Sequence, residues 1–420
     1  MAPNGEDREA VRAEVREWLD KNWDPERPLE EWRSMLAESG WGCPTWPKDL
    51  YGRGLSVDLA PIVADEFEKS GAVGPATGAG MSLVAPTILE HGSDELKKRM
   101  LRQILTGEQK WCQLFSEPGN GSDLAGLTTR AVRDGDEWVV NGQKVWTTNA
   151  HHADYGMLLA RTDWDVPKHR GITYFALPMK QPGVEVRPLK QMNGYASFNE
   201  VFITDARIPH DNVVGEVNNG WPVALTTLAH ERGVAFARFA RVPQGAKGRT
   251  AKQAMEEAAE YARTYVWYPQ RAGRPDLVIP QAKSMSKNLD PIIRQKVAAL
   301  WTLERASRWT QERARAARAR GKPVGPEGSI SKLVTSEIAR VSAQLHAEIA
   351  GAAGMLGGHD SLLDGIIGEI LVSVPGQSIA GGTDEIQKNI IGERVLGLPR
   401  EPAVDVDVPF REVQTNLRSS

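Results

Sequence analysis

Four short stretches carry the residues able to do chemistry. Glu231 stands in His230-Glu231-Arg232, and on a helix its stripe neighbours are Thr227, Leu228, Val234 and Ala235. A carboxylate on so apolar a stripe is desolvated, which raises its pKa toward the range of a proton-abstracting base. The same setting suits a structural glutamate paired with an arginine on a neighbouring helix. A second stretch, Trp111 to Asp123, opens as an apolar run and turns through Pro118, Gly119 and Gly121 to Ser122. Glycines there let a ligand lie against backbone, and backbone N–H groups with the Ser116 and Ser122 hydroxyls can hold an anionic or carbonyl-rich ligand. Taken alone it reads better as a plain strand-ending loop. Lys144 to Asn149 brings Trp146, Thr147 and Thr148, where the tryptophan alone suits a sandwich core. Ile379 to Gln387 brings Gly381, Gly382, Thr383, Asp384 and Glu385, a helix start with Thr383 as N-cap and acidic residues in the first turn.

The elements that must position these stretches follow from pattern. At 420 residues the chain exceeds what one core serves, so two or three domains are expected. A net charge of −3 offers no basic field for nucleic acid. Cys43 and Cys112 have neither disulfide nor metal spacing, and the scattered histidines make no zinc site. The N-terminus shows no basic region before an apolar run, and no apolar segment approaches the ~18 residues of a membrane span. A soluble, cytoplasmic protein is expected. Its 13 tryptophans each need a partner or pocket for an indole N–H.

Residues 1–110 read as helical, with Val11, Val15, Trp18 and Leu19 on one face and Ser93 capping a helix from Glu95. Residues 111–219 read as β. Asp134-Gly135 and Asn141-Gly142 are hairpin signals between short β-type runs. Helical pattern returns over 220–398, including a long helix from Trp221 to Val242. Tyr268 to Asp290, with three prolines, reads as a loop or insertion. The tail, 399–420, is polar and expected to be disordered. The order argues for an α+β assembly with an N-terminal helical domain, a middle antiparallel β-sandwich or barrel and a C-terminal helical domain.

Taken together, the motifs and their order resemble the acyl-CoA dehydrogenase family over nearly the whole chain. The resemblance implies a C-terminal four-helix bundle and FAD as cofactor. It implies that Gln113, Leu114, Phe115 and Ser116 line the isoalloxazine ring, and that Gly121 and Ser122 meet the pantetheine arm or the pyrophosphate. Trp146 and Thr147 are implied beside the flavin, with Thr148 near its N5, and Gly382, Thr383, Asp384 and Glu385 at the adenosine end. One large branch of the family carries its catalytic glutamate where this chain has Gly381. Glycine cannot be the base, although its N–H can still polarise the thioester carbonyl. Other members place the glutamate on the first helix of the C-terminal domain, which makes Glu231 the expected base and Arg232 a substrate-side arginine.

Two departures stand out. The family's Arg-x-x-Phe-Gly is missing, leaving Arg271 or Arg274 as substitutes at the FAD pyrophosphate, with Gln295 following and Gly351 in the glycine-rich stretch. Glu348 replaces a glutamine near a diphosphate, so it must pair with a cation, be protonated or point elsewhere. The resemblance implies α,β-desaturation of an acyl-CoA, electrons leaving to an electron-transferring flavoprotein, and a homodimer or homotetramer. A non-catalytic partner subunit of a hetero-oligomer and an acyl-CoA oxidase on the same scaffold are the alternatives.

Overall fold

The computed structural model describes residues 5–233, 242–319, 327–358, 361–402 and 405–413. They form two compact units, Met1–Leu189 with Ser197–Thr264 and Val404–Ser420, and Lys190–Ala196 with Tyr265–Ala403.

The first unit begins with α1 (Gly5–Asn22), α2 (Leu29–Ser39), α3 (Ala60–Ser70), a π-helical turn (Gly80–Val84), α4 (Ala85–His91) and α5 (Asp94–Thr106). Val11, Val15 and Leu19 of α1 are buried against Trp32 and Leu36 of α2, as the apolar stripe requires. Ser93 caps α5, its Oγ accepting from Leu96 N at 3.1 Å.

A seven-stranded sheet follows: β1 (Trp111–Leu114), β2 (Arg130–Asp134), β3 (Glu137–Thr148), β4 (Tyr155–Arg161), β5 (Ile172–Pro178), β6 (Val184–Leu189) and β7 (Phe198–Pro209). Most neighbours are antiparallel, but β1 runs parallel to β4 with Trp111 opposite Tyr155. Gly135, at φ +62°, turns the β2–β3 hairpin as its sequence predicts. Asn141-Gly142 turns nothing: β3 continues through it, with an irregular register between Val140 and Gly142. That glycine is there for closeness, since a Cβ would sit 2.4 Å from Thr129 Oγ1.

After the sheet come α6 (Gly220–Gly233) and α7 (Arg249–Arg263). The helix expected to run to Val242 is described only as far as Gly233; 234–241 lie outside the described residues. α6 packs on β5, α4 and the π-helical turn. Its rotation is fixed by Thr227 Oγ1, which meets Thr87 Oγ1 at 2.9 Å and Tyr174 Oη at 3.3 Å.

The expected disordered tail is instead docked on the sheet through Asp405–Val413. Phe410 is fully buried, its ring centroid 3.4 Å from the Arg161 guanidinium carbon. Phe410 N donates to Val166 O at 2.9 Å and Lys168 Nζ to Asp405 at 2.6 Å. One aromatic ring burying itself contributes about 1.5–3 kcal/mol, and the Lys168–Asp405 pair and the backbone hydrogen bonds add to it.

The second unit is helical. α8 (Tyr268–Arg271) and α9 (Pro275–Ser284) occupy the stretch read as a loop. Pro269 and Pro275 start these helices, where the missing N–H costs nothing, and only Pro280 lies inside one. α10 (Pro291–Ala319) lies along α11 (Glu327–Ala350), and α12 (Ile366–Ser373), α13 (Pro375–Ile379) and α14 (Asp384–Arg394) pack on α11.

Candidate functional site

Strand alternation splits β1 between two cores. Cys112 and Leu114 face one, and Trp111 and Phe115 face the other, with Gln113 on their side. That side looks toward α6. Gln113 Nε2 donates to Glu231 Oε2 at 3.4 Å, a long contact that joins the expected base to the expected cofactor strand. Glu231 itself is partly buried. The side chain of Arg232, with Val234 and Ala235, lies outside the described residues.

The turn after β1 is anchored by Glu117. Its carboxylate accepts from Thr128 N at 2.7 Å, Thr128 Oγ1 at 2.8 Å, Thr129 N at 2.9 Å and Lys144 Nζ at 2.9 Å. Burial alone would raise this carboxyl, but the Lys144 charge and the donors outweigh it and hold it at about 2. Burial also pulls the Lys144 ammonium below its ordinary value, against the opposing pull of Glu117. Lys144 Nζ reaches Phe115 O at 3.1 Å, and Val145 N donates to Ser116 O at 2.9 Å. The two loops expected at the flavin are therefore one fastened piece. Gly121 and Ser122 stand exposed at its rim, while Leu114 and Phe115 are buried and Ser116 partly so.

Trp146 is not a sandwich-core residue. Between Lys144 and Thr147, β3 carries one residue more than β7, and this bulge turns Trp146 outward at φ +61°. The ring is 57% exposed and rests edge-on against Phe198 at 5.7 Å. A bulky side chain in the left-handed region costs about 1–3 kcal/mol and persists where its surroundings enforce it. Next to it Thr147 Oγ1 is buried without a hydrogen-bond partner, and Thr148 is partly buried. A bare aromatic face, an orphaned hydroxyl and a glycine turn fit a planar, hydrogen-bonding cofactor such as FAD.

In the second unit, Gly381 (φ +70°) and Gly382 (φ +84°) lead into α14, and Gln387 Nε2 donates to both carbonyls at 3.2 Å. Thr383 caps α14 through Ile386 N at 3.2 Å, and Glu385 is exposed. Asp384 is buried between Lys332 at 2.9 Å and Arg340 at 2.6 Å, so its carboxylate is already satisfied. Burial would raise it, yet Lys332 keeps it below the usual carboxylate range. Glu348 takes the first of its three alternatives, pairing with Lys296 Nζ at 2.6 Å. Gln295 is exposed on α10, and Gly351 (φ +57°) is exposed after α11. Arg274 is held by Asp276 at 2.7 Å, and Arg271 by Gln377 at 3.1 Å.

Two features escaped the sequence reading: the Glu117–Lys144 pair and the contact of Gln113 with Glu231. The first had a signal. Lys144 shares the even register of Trp138 and Val140, which are buried, and an inward lysine demands a carboxylate. No group of three or more His, Cys, Asp or Glu able to hold a metal occurs among the described residues. None of the described helices is long and apolar enough to cross a membrane.

Three family models match the chain: the acyl-CoA dehydrogenase N-terminal domain over 5–108, middle domain over 112–206 and C-terminal domain over 282–396. Acyl-CoA dehydrogenase IpdE1 of Mycobacterium tuberculosis is 35% identical over 418 residues, covering 94% of this chain and 99% of that protein. Among solved structures, the Tcur3481-Tcur3483 steroid ACAD aligns with TM-score 0.64 and 27% identity, covering 95% of this chain and 99% of the other. The ChsE4-ChsE5 complex from Mycobacterium tuberculosis aligns with TM-score 0.62 and 28% identity over 96% of this chain and 100% of the other.

Proposed function

The chain belongs to the acyl-CoA dehydrogenase family, and we propose that it desaturates the Cα–Cβ bond of a CoA thioester with Glu231 as the base. Membership makes it an oxidoreductase with FAD as cofactor. When bound, FAD supplies the hydride acceptor for the β-carbon. This chain's own residues do the rest.

Glu231 takes the α-proton. Gln113 donates to its carboxylate and so orients it. Gly381 offers its N–H to the thioester carbonyl, a contact that strengthens as negative charge develops on that oxygen. Gln113 to Ser116, Trp146, Thr147 and Thr148 hold the flavin ring, and Gly121 and Ser122 meet the pyrophosphate or pantetheine. Gly351, Gly382, Thr383, Glu385, Gln295 and Arg274 serve the adenosine and diphosphate end, Arg274 by exchanging Asp276 for phosphate. Arg232 lies on the substrate side.

The Gln113–Glu231 contact carries this reading. It puts a carboxylate from α6 against the strand that bears the flavin motif, in a chain whose Gly381 has no side chain to act as base. The electron acceptor in this reading is an electron-transferring flavoprotein. A hetero-oligomer is the second reading, favoured by the similarity to the ChsE4-ChsE5 complex from Mycobacterium tuberculosis. The test is spectroscopic. The purified protein is expected to be yellow, to bleach anaerobically with an acyl-CoA substrate and to reduce an artificial acceptor without peroxide. Colourless protein, or abundant peroxide in air, overturns the dehydrogenase reading.

A further inference from the structure

The C-terminal segment Asp405–Val413 and the loop between β4 and β5 belong to the same unit as the glycine turn after β1. Phe410 covers the guanidinium of Arg161, which is fully buried at the end of β4. That guanidinium donates to four carbonyls. Two lie just after the turn, Ala125 at 2.6 Å and Leu127 at 3.2 Å. Two lie in the β4–β5 loop, Lys168 at 3.2 Å and Arg170 at 3.3 Å. A planar guanidinium has its donors in a fixed fork, so these carbonyls are locked relative to one another. Arg411 N donates to Trp164 O at 3.0 Å and the Arg411 side chain pairs with Asp165, so the segment also holds the start of the loop.

This frame delivers one side chain to the turn. Lys168 Nζ lies 3.2 and 3.3 Å from the two carboxylate oxygens of Asp123, and 2.6 Å from Asp405. The ammonium has three donors, so Asp405 holds it without displacing Asp123. The lysine side chain is 13% exposed and that of Asp123 is 55% exposed, so the cation is held while the carboxylate stays open to solvent. Burial pulls the ammonium down, but Asp405 and Asp123 raise it above its ordinary value, and it keeps its charge at neutral pH. Asp123 directly follows Ser122. A bare carboxylate there would repel an anion held at the turn's N–H groups. Lys168 lowers that repulsion.

We propose that Lys168 is a positioning residue for a diphosphate ligand at the glycine turn, masking the charge of Asp123, and that the docked C-terminal segment holds it there. The proposal rests on the reading that Gly121 and Ser122 meet a pyrophosphate. FAD and CoA both carry one, so the shared chemistry is a diphosphate ester and each ligand is a separate arm of the test.

Calorimetry follows FAD binding to the apoprotein and, separately, CoA binding to the flavin-loaded protein. Lys168→Met is expected to weaken one of the two about fivefold, the scale of a partly exposed ion pair, and so to identify which diphosphate lies at the turn. The ratio should shrink toward one as salt rises to about 1 M, where the screening length is about 3 Å. A packing defect would not respond to salt. Asp123→Asn added to Lys168→Met should restore the affinity, because the repelling charge is gone, and Lys168→Arg should retain it. Phe410→Ala, or Phe410→Leu should that chain not fold, is expected to reproduce part of the loss. Unchanged affinity for both ligands in Lys168→Met, or a loss that Asp123→Asn does not restore, overturns the proposal. Full affinity in the folded Phe410 variant overturns the part given to the C-terminal segment. Gly121→Val separates all this from the reading beneath it, since a Cβ there meets no protein atom within 4 Å and obstructs only a ligand. No loss of either affinity in Gly121→Val overturns the diphosphate reading of the turn and the proposal with it. A loss there with none in Lys168→Met overturns the proposal alone.

Discussion

Two glycine-bearing turns, the one after β1 and the one before α14, are each fastened by a buried carboxylate, but by different means. Glu117 is gripped by backbone donors and by Lys144, a fully buried cation from another strand. Asp384 is gripped by Lys332 and Arg340, two cations of one helix whose side chains are 16% and 43% exposed. The first arrangement couples two loops across the sheet and has no solvent to fall back on. The second sits in the first turn of α14 with a duplicate cation, tolerant of losing one. The β-domain turn is thus clamped by buried partners alone, whereas the α14 turn is held by partly exposed cations of α11.

Breaking the first anchor should have the largest effect. Lys144→Met strands the Glu117 charge and is expected to cost about 3–5 kcal/mol, read from the urea midpoint, together with loss of bound flavin. Glu117→Gln in the same chain should recover part of that loss. Lys332→Met leaves Arg340 on Asp384, so a smaller loss of about 1.5–3 kcal/mol is expected. A loss equal to that of Lys144→Met would erase the contrast between the turns.

The acid limb sharpens it further. Glu117 is held at about 2, below its ordinary 4.5. A lowered folded pKa contributes stability that is fully present above the ordinary value and is lost as pH falls through the folded one. Stability should therefore decline between about pH 4.5 and 2, and Glu117→Gln should flatten that decline. The smallest stability effect belongs to Trp146→Ala. At an exposed site the midpoint should move by about 0.5 kcal/mol or less, while flavin affinity falls. A large destabilisation would return Trp146 to a structural role.

The motifs were legible because their residue types announce chemistry, and the domain order because helix and strand periodicities differ. What escaped depended on distance along the chain. Asn141-Gly142 has the composition of a turn, yet the close approach of Thr129 is what requires its glycine. Three prolines suggested a loop over Tyr268 to Asp290, although two sit where helices begin. Phe410 gave no periodic signal, because its partner Arg161 lies far away in sequence. Gln113 looked like a flavin-lining residue, and only the packing of α6 brings it to Glu231.

That last contact also points to the decisive measurement, stopped-flow reduction of the flavin by an acyl-CoA in the Glu231→Gln variant. With flavin content and thioester binding retained, reduction is expected to slow by at least about a hundredfold. Reduction at the unaltered rate would contradict the assignment of Glu231 as the group that takes the α-proton.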